Sequence, residues 1–164
     1  MIKILSFIAF FATALAGIVV LAGQIGMVKG KAPQDLGVQG GRLKRPSFSP
    51  NSVSSQAGLY PDHPQKKYAE IAPFEYTGDG PAAMKRLAEV LSLAGRITVV
   101  EQTPDYIYAQ ANTKLMKFTD DLEFWLDPAN RVIQVRSASR LGRKDFGVNR
   151  ERMESIRSQF ISRQ

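Results

Sequence analysis

The stretch from Phe118 to Glu154 constrains the fold most, because apolar and polar residues alternate there on both sides of a turn sequence. Its centre reads Asp-Pro-Ala-Asn, a composition typical of tight turns. Successive side chains of a strand point to opposite faces of a sheet. We therefore predict a β-hairpin with one apolar and one polar face. The apolar face carries Leu122, Phe124, Leu126, Ile133 and Val135. The polar face carries Asp121, Glu123, Trp125, Gln134 and Arg136.

The turn also predicts which residues pair across the hairpin. With Pro128 and Ala129 at its centre, Asp121 lies opposite Arg136, and such a cross-strand pair contributes about 0.2–1 kcal/mol. Asp121 and Glu123 share a face and could bind a hard cation. Arg136 opposite favours an ion-pair network instead, so we predict no metal site.

Asp120 breaks the apolar pattern, because it falls on the core face. In this register it lies opposite Ser137. A buried carboxylate needs hydrogen bonds or a cation. The candidates nearby are Ser137, Ser139, Arg140 and backbone N–H groups of the following loop.

The remaining patterns predict an α+β fold, with a small antiparallel sheet of about four to five strands and two helices packed on one face. Pro81 opens a helical repeat that ends near Gly95. Strand patterns follow at 96–102 and 105–112, and 69–76 predicts an edge strand. A closing helix carries Met153, Ile156 and Phe160 on one stripe, with Asn149 as its N-cap.

Residues 4–28 contain no charged side chain, and about 20 such residues cross a bilayer core. We predict residues 1–28 as a membrane anchor, with a cleaved signal peptide as the alternative. Residues 29–45, rich in Gly and Lys, predict a flexible basic linker, and residues 46–164 a single domain. The expected location is the inner membrane, single-pass. The basic residues on both sides of the span leave orientation open, with the periplasmic side preferred over the cytoplasm.

Composition excludes several chemistries. The chain has no cysteine and one histidine, His63, which removes disulfides, thiolate metal sites, a cysteine nucleophile and multi-histidine metal sites. Ser52, Ser54 and Ser55 are possible nucleophiles, but no base lies within their motif. A loop held by its own hydroxyl groups explains them better. We predict no cofactor.

Charge is uneven along the chain, which carries +7 overall. The C-terminal third is basic and the middle is acidic. Internal complementarity between the last strand, the last helix and acidic strands explains this most simply. A basic surface for anionic lipid or another polyanion is the alternative.

Three segments in this order resemble the bacterial and plastid family catalogued as domain of unknown function 1499: PNSVSSQ (50–56), FTDDLEF (118–124) and VRSASRLGRKDFGVNRERMESIR (135–157), within a match over about residues 43–162. No established reaction comes with that family. The resemblance singles out a set of polar residues without giving them roles. They are Asn51, Ser54, Ser55, Asp120, Asp121, Glu123, Arg136, Ser137, Ser139, Arg140, Asp145, Asn149 and Arg150.

Three functions fit these residues. The sequence favours a membrane-anchored, non-catalytic binding or assembly module, whose partner would be a membrane protein. A small anionic-ligand-binding domain is the alternative, in which Arg136, Arg140 and Arg150 hold a carboxylate or phosphate. A metal- or serine-dependent hydrolase is the third. It requires acids that no arginine neutralises. We expect no nucleic-acid binding, because no known signature is present.

Overall fold

A six-stranded antiparallel sheet organises the domain. A computed structural model describes residues 2–163. The strands run in the order β1-β6-β5-β4-β3, and β2 also pairs with β6. The strands are β1 (Ser52–Ser54), β2 (Phe74–Glu75), β3 (Ile97–Gln102), β4 (Tyr106–Asn112), β5 (Thr119–Asp127) and β6 (Val132–Ser139). The helices are α1 (Ile2–Gln24), α2 (Lys66–Ala69), α3 (Gly80–Leu93) and α4 (Val148–Ile161), with a 3₁₀ turn at Ala57–Leu59.

The predicted α+β class is confirmed, and the sheet is larger than predicted. β5 occupies one edge of β6, so the two short strands β1 and β2 share its other edge. The Ser-rich residues of β1 were predicted as a loop held by its own hydroxyl groups. They have no alternating apolar pattern, and their strand conformation depends on pairing with the distant β6.

The core lies between one face of the sheet and the helices α3 and α4. Asp79 caps α3 by accepting a hydrogen bond from the Ala82 N–H at 2.9 Å. Phe74 packs against Phe124 and Phe160, with ring centroids 6.0 Å apart in both cases. The predicted apolar face of the hairpin is confirmed, because all five of its residues are buried in this core: Leu122, Phe124, Leu126, Ile133 and Val135.

The predicted hairpin register is wrong by two residues. Asp127 pairs with Val132, so the turn spans Pro128–Arg131, and Arg131 adopts a positive φ of 55°. The Asp127 carboxylate holds this wider turn by accepting hydrogen bonds from the backbone and side-chain amides of Asn130. A shift of two residues keeps every side chain on its face but changes every partner.

Residues 31–47, called the strap from here on, cross the polar face of the sheet. The Gly37 N–H donates to Glu123 Oε1 at 2.8 Å, and the N–H of the buried Leu43 donates to Gln56 Oε1 at 2.8 Å. The strap therefore covers side chains that the alternating pattern alone would place at a free surface. Part of the predicted linker thus contacts the sheet. The domain boundaries themselves stay a prediction.

The N-terminal helix α1 is long and apolar enough to cross a membrane over Ser6–Gln24. Its last turn contacts the loop between β4 and β5. The Gln24 side chain donates to the Leu115 carbonyl at 2.7 Å. A Cβ on Gly23 would come within 2.5 Å of the Met116 carbonyl oxygen, so only glycine fits this approach.

Candidate functional site

Two buried acid–arginine pairs lie on the polar face of the sheet. Arg136 Nη1 donates to Glu123 Oε2 at 3.0 Å, and their side chains are 3% and 0% exposed. Arg140 grips Asp121 with two donors, Nε at 2.9 Å and Nη2 at 2.7 Å. The Asp121 hydrogen bond raises the pKa of Arg140. Because a buried charge is costly without its partner, each pair holds its strands in register.

Two tyrosines of β4 complete the hydrogen bonding of these acids. The Tyr106 hydroxyl donates to Glu123 at 3.0 Å, and the Tyr108 hydroxyl donates to Asp121 at 2.6 Å. Burial, together with the neighbouring carboxylate, raises the pKa of both tyrosines. They therefore act as hydrogen-bond donors at neutral pH. The six residues form the arginine-paired face: Tyr106, Tyr108, Asp121, Glu123, Arg136 and Arg140.

This geometry corrects the predicted partner of Arg136. The sequence placed Asp121 opposite Arg136, whereas Glu123 occupies that position and Asp121 lies opposite Ala138. Asp121 instead pairs with Arg140, which follows the end of β6. The ion-pair network predicted for this face is present, with different partners.

A second polar cluster lies at the edge of the core face, centred on the fully buried Asn149. The Asn149 side-chain amide donates to the Asn51 carbonyl, the Ser139 hydroxyl and Asp145 at 2.8–3.1 Å. Its oxygen accepts a hydrogen bond from the Ser137 hydroxyl at 2.5 Å. We call these five residues the asparagine cluster. It ties the segment before β1, strand β6 and helix α4 together.

Asp145 takes the capping role that the sequence assigned to Asn149. Helix α4 begins at Val148, so Asn149 lies inside its first turn. The Asp145 carboxylate accepts hydrogen bonds from the N–H groups of Gly147 and Asn149 and from the Tyr68 hydroxyl. Burial alone would raise the pKa of Asp145, but these donors outweigh it and lower the pKa.

Asp120 pairs with Arg152, a residue that the sequence analysis did not single out. Arg152 Nη2 donates to Asp120 Oδ2 at 2.6 Å. Asp120 lies opposite Ser139, where the sequence predicted Ser137. Arg152 is three residues after Asn149 and four before Ile156, which places all three on one face of α4. Helical spacing therefore places Arg152 on the buried face of α4, without indicating which acid it contacts.

The remaining predicted residues lie apart from both clusters. Arg150 donates to the carbonyls of Tyr68 and Glu70 at 2.7 and 2.8 Å. It therefore holds the end of α2 and is separate from Arg136 and Arg140. The sequence predicted that Arg136, Arg140 and Arg150 surround one anion. The structure does not bring these three arginines together.

The serines of the first motif make structural hydrogen bonds. Ser54 Oγ accepts from the Gln56 N–H at 3.2 Å, and the Ser55 hydroxyl donates to Gln134 at 2.7 Å. His63 stacks on Phe48 with ring centroids 5.0 Å apart. The partners in these two serine contacts are a backbone N–H and an amide side chain, and neither is the base that a nucleophile needs.

The partners of the buried acids limit the chemistry that this site can perform. The carboxylates of Asp120, Asp121 and Glu123 each accept hydrogen bonds from an arginine. Within residues 2–163, no three side chains of the types that ligate metals converge. The donors that remain available on the arginine-paired face belong to arginine, which suits recognition of an anion.

The fold and site define an α+β domain that follows a hydrophobic helix and whose sheet acids are paired with arginines. A comparison with protein families matches residues 42–160 to the family described as Protein of unknown function (DUF1499). The chain belongs to this family, as the sequence resemblance predicted. Comparison with curated proteins and with solved structures gave no significant match.

Proposed function

We propose that the chain is a membrane-anchored, non-catalytic binding module. One observation carries the proposal: Asp120, Asp121 and Glu123 each have an arginine of their own. A general acid or base must exchange a proton with its substrate. Here the oxygens of each carboxylate are instead engaged by the N–H groups of an arginine inside the fold.

The anchor in this proposal is α1, and the domain faces the periplasm in the cell envelope. The chain contains no cysteine, so one introduced thiol reports orientation. Ser158→Cys, on an exposed position of α4, should react in intact cells with a maleimide that cannot cross the inner membrane, once it has passed the outer membrane. Labelling only after lysis would place the domain in the cytoplasm. The mass of the purified protein distinguishes a retained anchor from a cleaved signal peptide.

Binding without turnover is tested by native mass spectrometry of the full chain solubilised from membranes. The proposal predicts a co-purifying protein or small molecule whose mass stays unchanged during prolonged incubation. Conversion of a bound molecule into a product of different mass would contradict it. A chain that carries no bound species under any solubilisation condition would also count against it.

A further inference from the structure

A cavity of about 400 Å³ lies between the strap and the arginine-paired face. This volume is in the range of small-molecule sites. The strap contributes Lys31, Lys44 and Ser47 to its lining, and the sheet side contributes Arg136 and Arg140. Four basic side chains therefore surround the cavity. Asp121 is the acid in the lining, and Arg140 already pairs with it.

Arg136 has hydrogen-bonding capacity that its pair with Glu123 does not use. A guanidinium carries five N–H donors, and Arg136 gives Nη1 to Glu123. Its Nε is buried and has no hydrogen-bond partner among the described residues. Nε and Nη2 form one edge of the guanidinium, with two parallel N–H groups. Arg140 uses this same edge to grip Asp121.

The Nε–Nη2 edge of Arg136, whose Nε has no partner among the described residues, matches two oxygens of a carboxylate or a phosphate, because both groups present oxygens at the spacing of its two N–H groups. A buried N–H group without a partner costs free energy, which an anion in the cavity would recover. Lys31 is exposed and adds positive charge at the strap. Lys44 lines the same side of the cavity and pairs at 2.5 Å with the exposed Asp35.

We propose that this cavity binds a small anion through the Nε–Nη2 edge of Arg136, with Lys31 and Lys44 as electrostatic support. The inference rests on the proposed binding function and names its ligand chemistry, a phosphate or carboxylate group. Gly30, six residues after the end of α1, lies against the lining residue Arg140, because a Cβ on Gly30 would come within 2.8 Å of Arg140 Cβ. Either a soluble anion or a lipid headgroup can therefore supply that group.

The experiment uses the full chain in phosphatidylcholine nanodiscs, with inorganic phosphate as the first probe and isothermal titration as the readout. Arg136→Lys keeps a positive charge beside Glu123 but removes the two parallel N–H groups of the guanidinium edge. It should weaken phosphate binding roughly ten- to a hundredfold, the usual effect of losing a hydrogen bond to a charged group. Lys31→Gln should weaken binding several-fold. Lys85→Gln is its matched control, because Lys85 is exposed on α3, across the sheet from the cavity, and should leave affinity unchanged.

A second arm separates the two sources of the anion. Nanodiscs containing phosphatidic acid, without free phosphate, should raise the urea midpoint of domain unfolding if a headgroup occupies the cavity. A response to free phosphate identifies a soluble ligand, and a response to phosphatidic acid alone identifies a lipid. Since Arg136→Lys preserves charge, an unspecific surface effect would persist in that variant.

The inference is overturned if neither probe acts on the wild type, or if Arg136→Lys responds as the wild type does. If Arg136→Lys does not fold, equal affinities of the Lys31→Gln and Lys85→Gln variants would overturn it. A co-purifying molecule that Arg136→Lys retains would reject this cavity and leave the binding module intact. Absence of any bound species and of any anion response would count against both.

Discussion

Removing the charge of Glu123 alone should destabilise the domain strongly, because it leaves Arg136 charged and buried. Breaking a buried pair by removing one partner costs about 3–5 kcal/mol. This range applies here because the side chains of Glu123 and Arg136 are only 0% and 3% exposed. The loss is a large fraction of the roughly 5–15 kcal/mol that stabilises an ordinary domain.

A double-mutant cycle isolates the pair. Glu123→Gln keeps an oxygen that can accept from Tyr106 or from the Gly37 N–H, and Arg136→Met keeps the length of the side chain without its charge. The double variant has no unpaired charge, so its destabilisation should fall short of the sum of the two single variants by about 2–3 kcal/mol. Urea unfolding of the full chain is followed by the fluorescence of Trp125, its one tryptophan.

The matched control is the pair Glu154–Arg157 on α4. Its atoms are closer, 2.7 Å against 3.0 Å, but the Glu154 side chain is 49% exposed. Pairs of this kind contribute about 0.3–0.5 kcal/mol. If burial decides the strength of an ion pair, the Glu123–Arg136 pair gives the larger coupling energy, although its atoms are farther apart. Equal coupling in the two cycles would refute the reasoning.

Two further predictions concern other parts of the fold. Gly23→Ala should detach the end of α1 from the β4–β5 loop and lower the urea midpoint of unfolding. Gly17→Ala is the control, because Gly17 has open space around it, and it should leave the midpoint unchanged. Equal midpoints for the two variants would contradict the contact between α1 and the loop. The lowered pKa of Asp145 means that its contribution is complete above the unfolded value of about 4 and is lost as pH falls through the folded value. Asp145→Asn should therefore flatten the fall of the urea midpoint below about pH 4, and an unchanged slope would contradict this.

The sequence predicted the faces of the central hairpin because alternation depends only on neighbouring residues. It could not predict the register, since that depends on the turn. Asn130 widens the turn by bonding to Asp127, and Arg131 accepts a positive φ. A two-residue shift is invisible to an alternating pattern. The ion pairs were therefore predicted on the right face with the wrong partners.

The sequence also could not predict that the strap crosses the polar face of the sheet. The strap has no apolar period, and two of its contacts are made by backbone N–H groups that donate to Glu123 and Gln56. Such contacts depend on chain geometry and leave no mark in the residue types. Asp120 was correctly recognised as a buried acid in need of a partner. Its partner Arg152 comes from a helix whose orientation over the sheet the sequence did not give.

The claim that an arginine edge beneath the strap is the binding group is tested most directly by NMR of the arginine side chains. The Nε–Hε signal of Arg136 is assigned by its loss in Arg136→Lys, with the full chain in phosphatidylcholine nanodiscs. Titration with inorganic phosphate should shift this signal downfield and saturate, while the Nε–Hε signal of Arg140, already bonded to Asp121, moves little. If the Arg136 signal stays in place with phosphate, and again in nanodiscs containing phosphatidic acid, the account is contradicted.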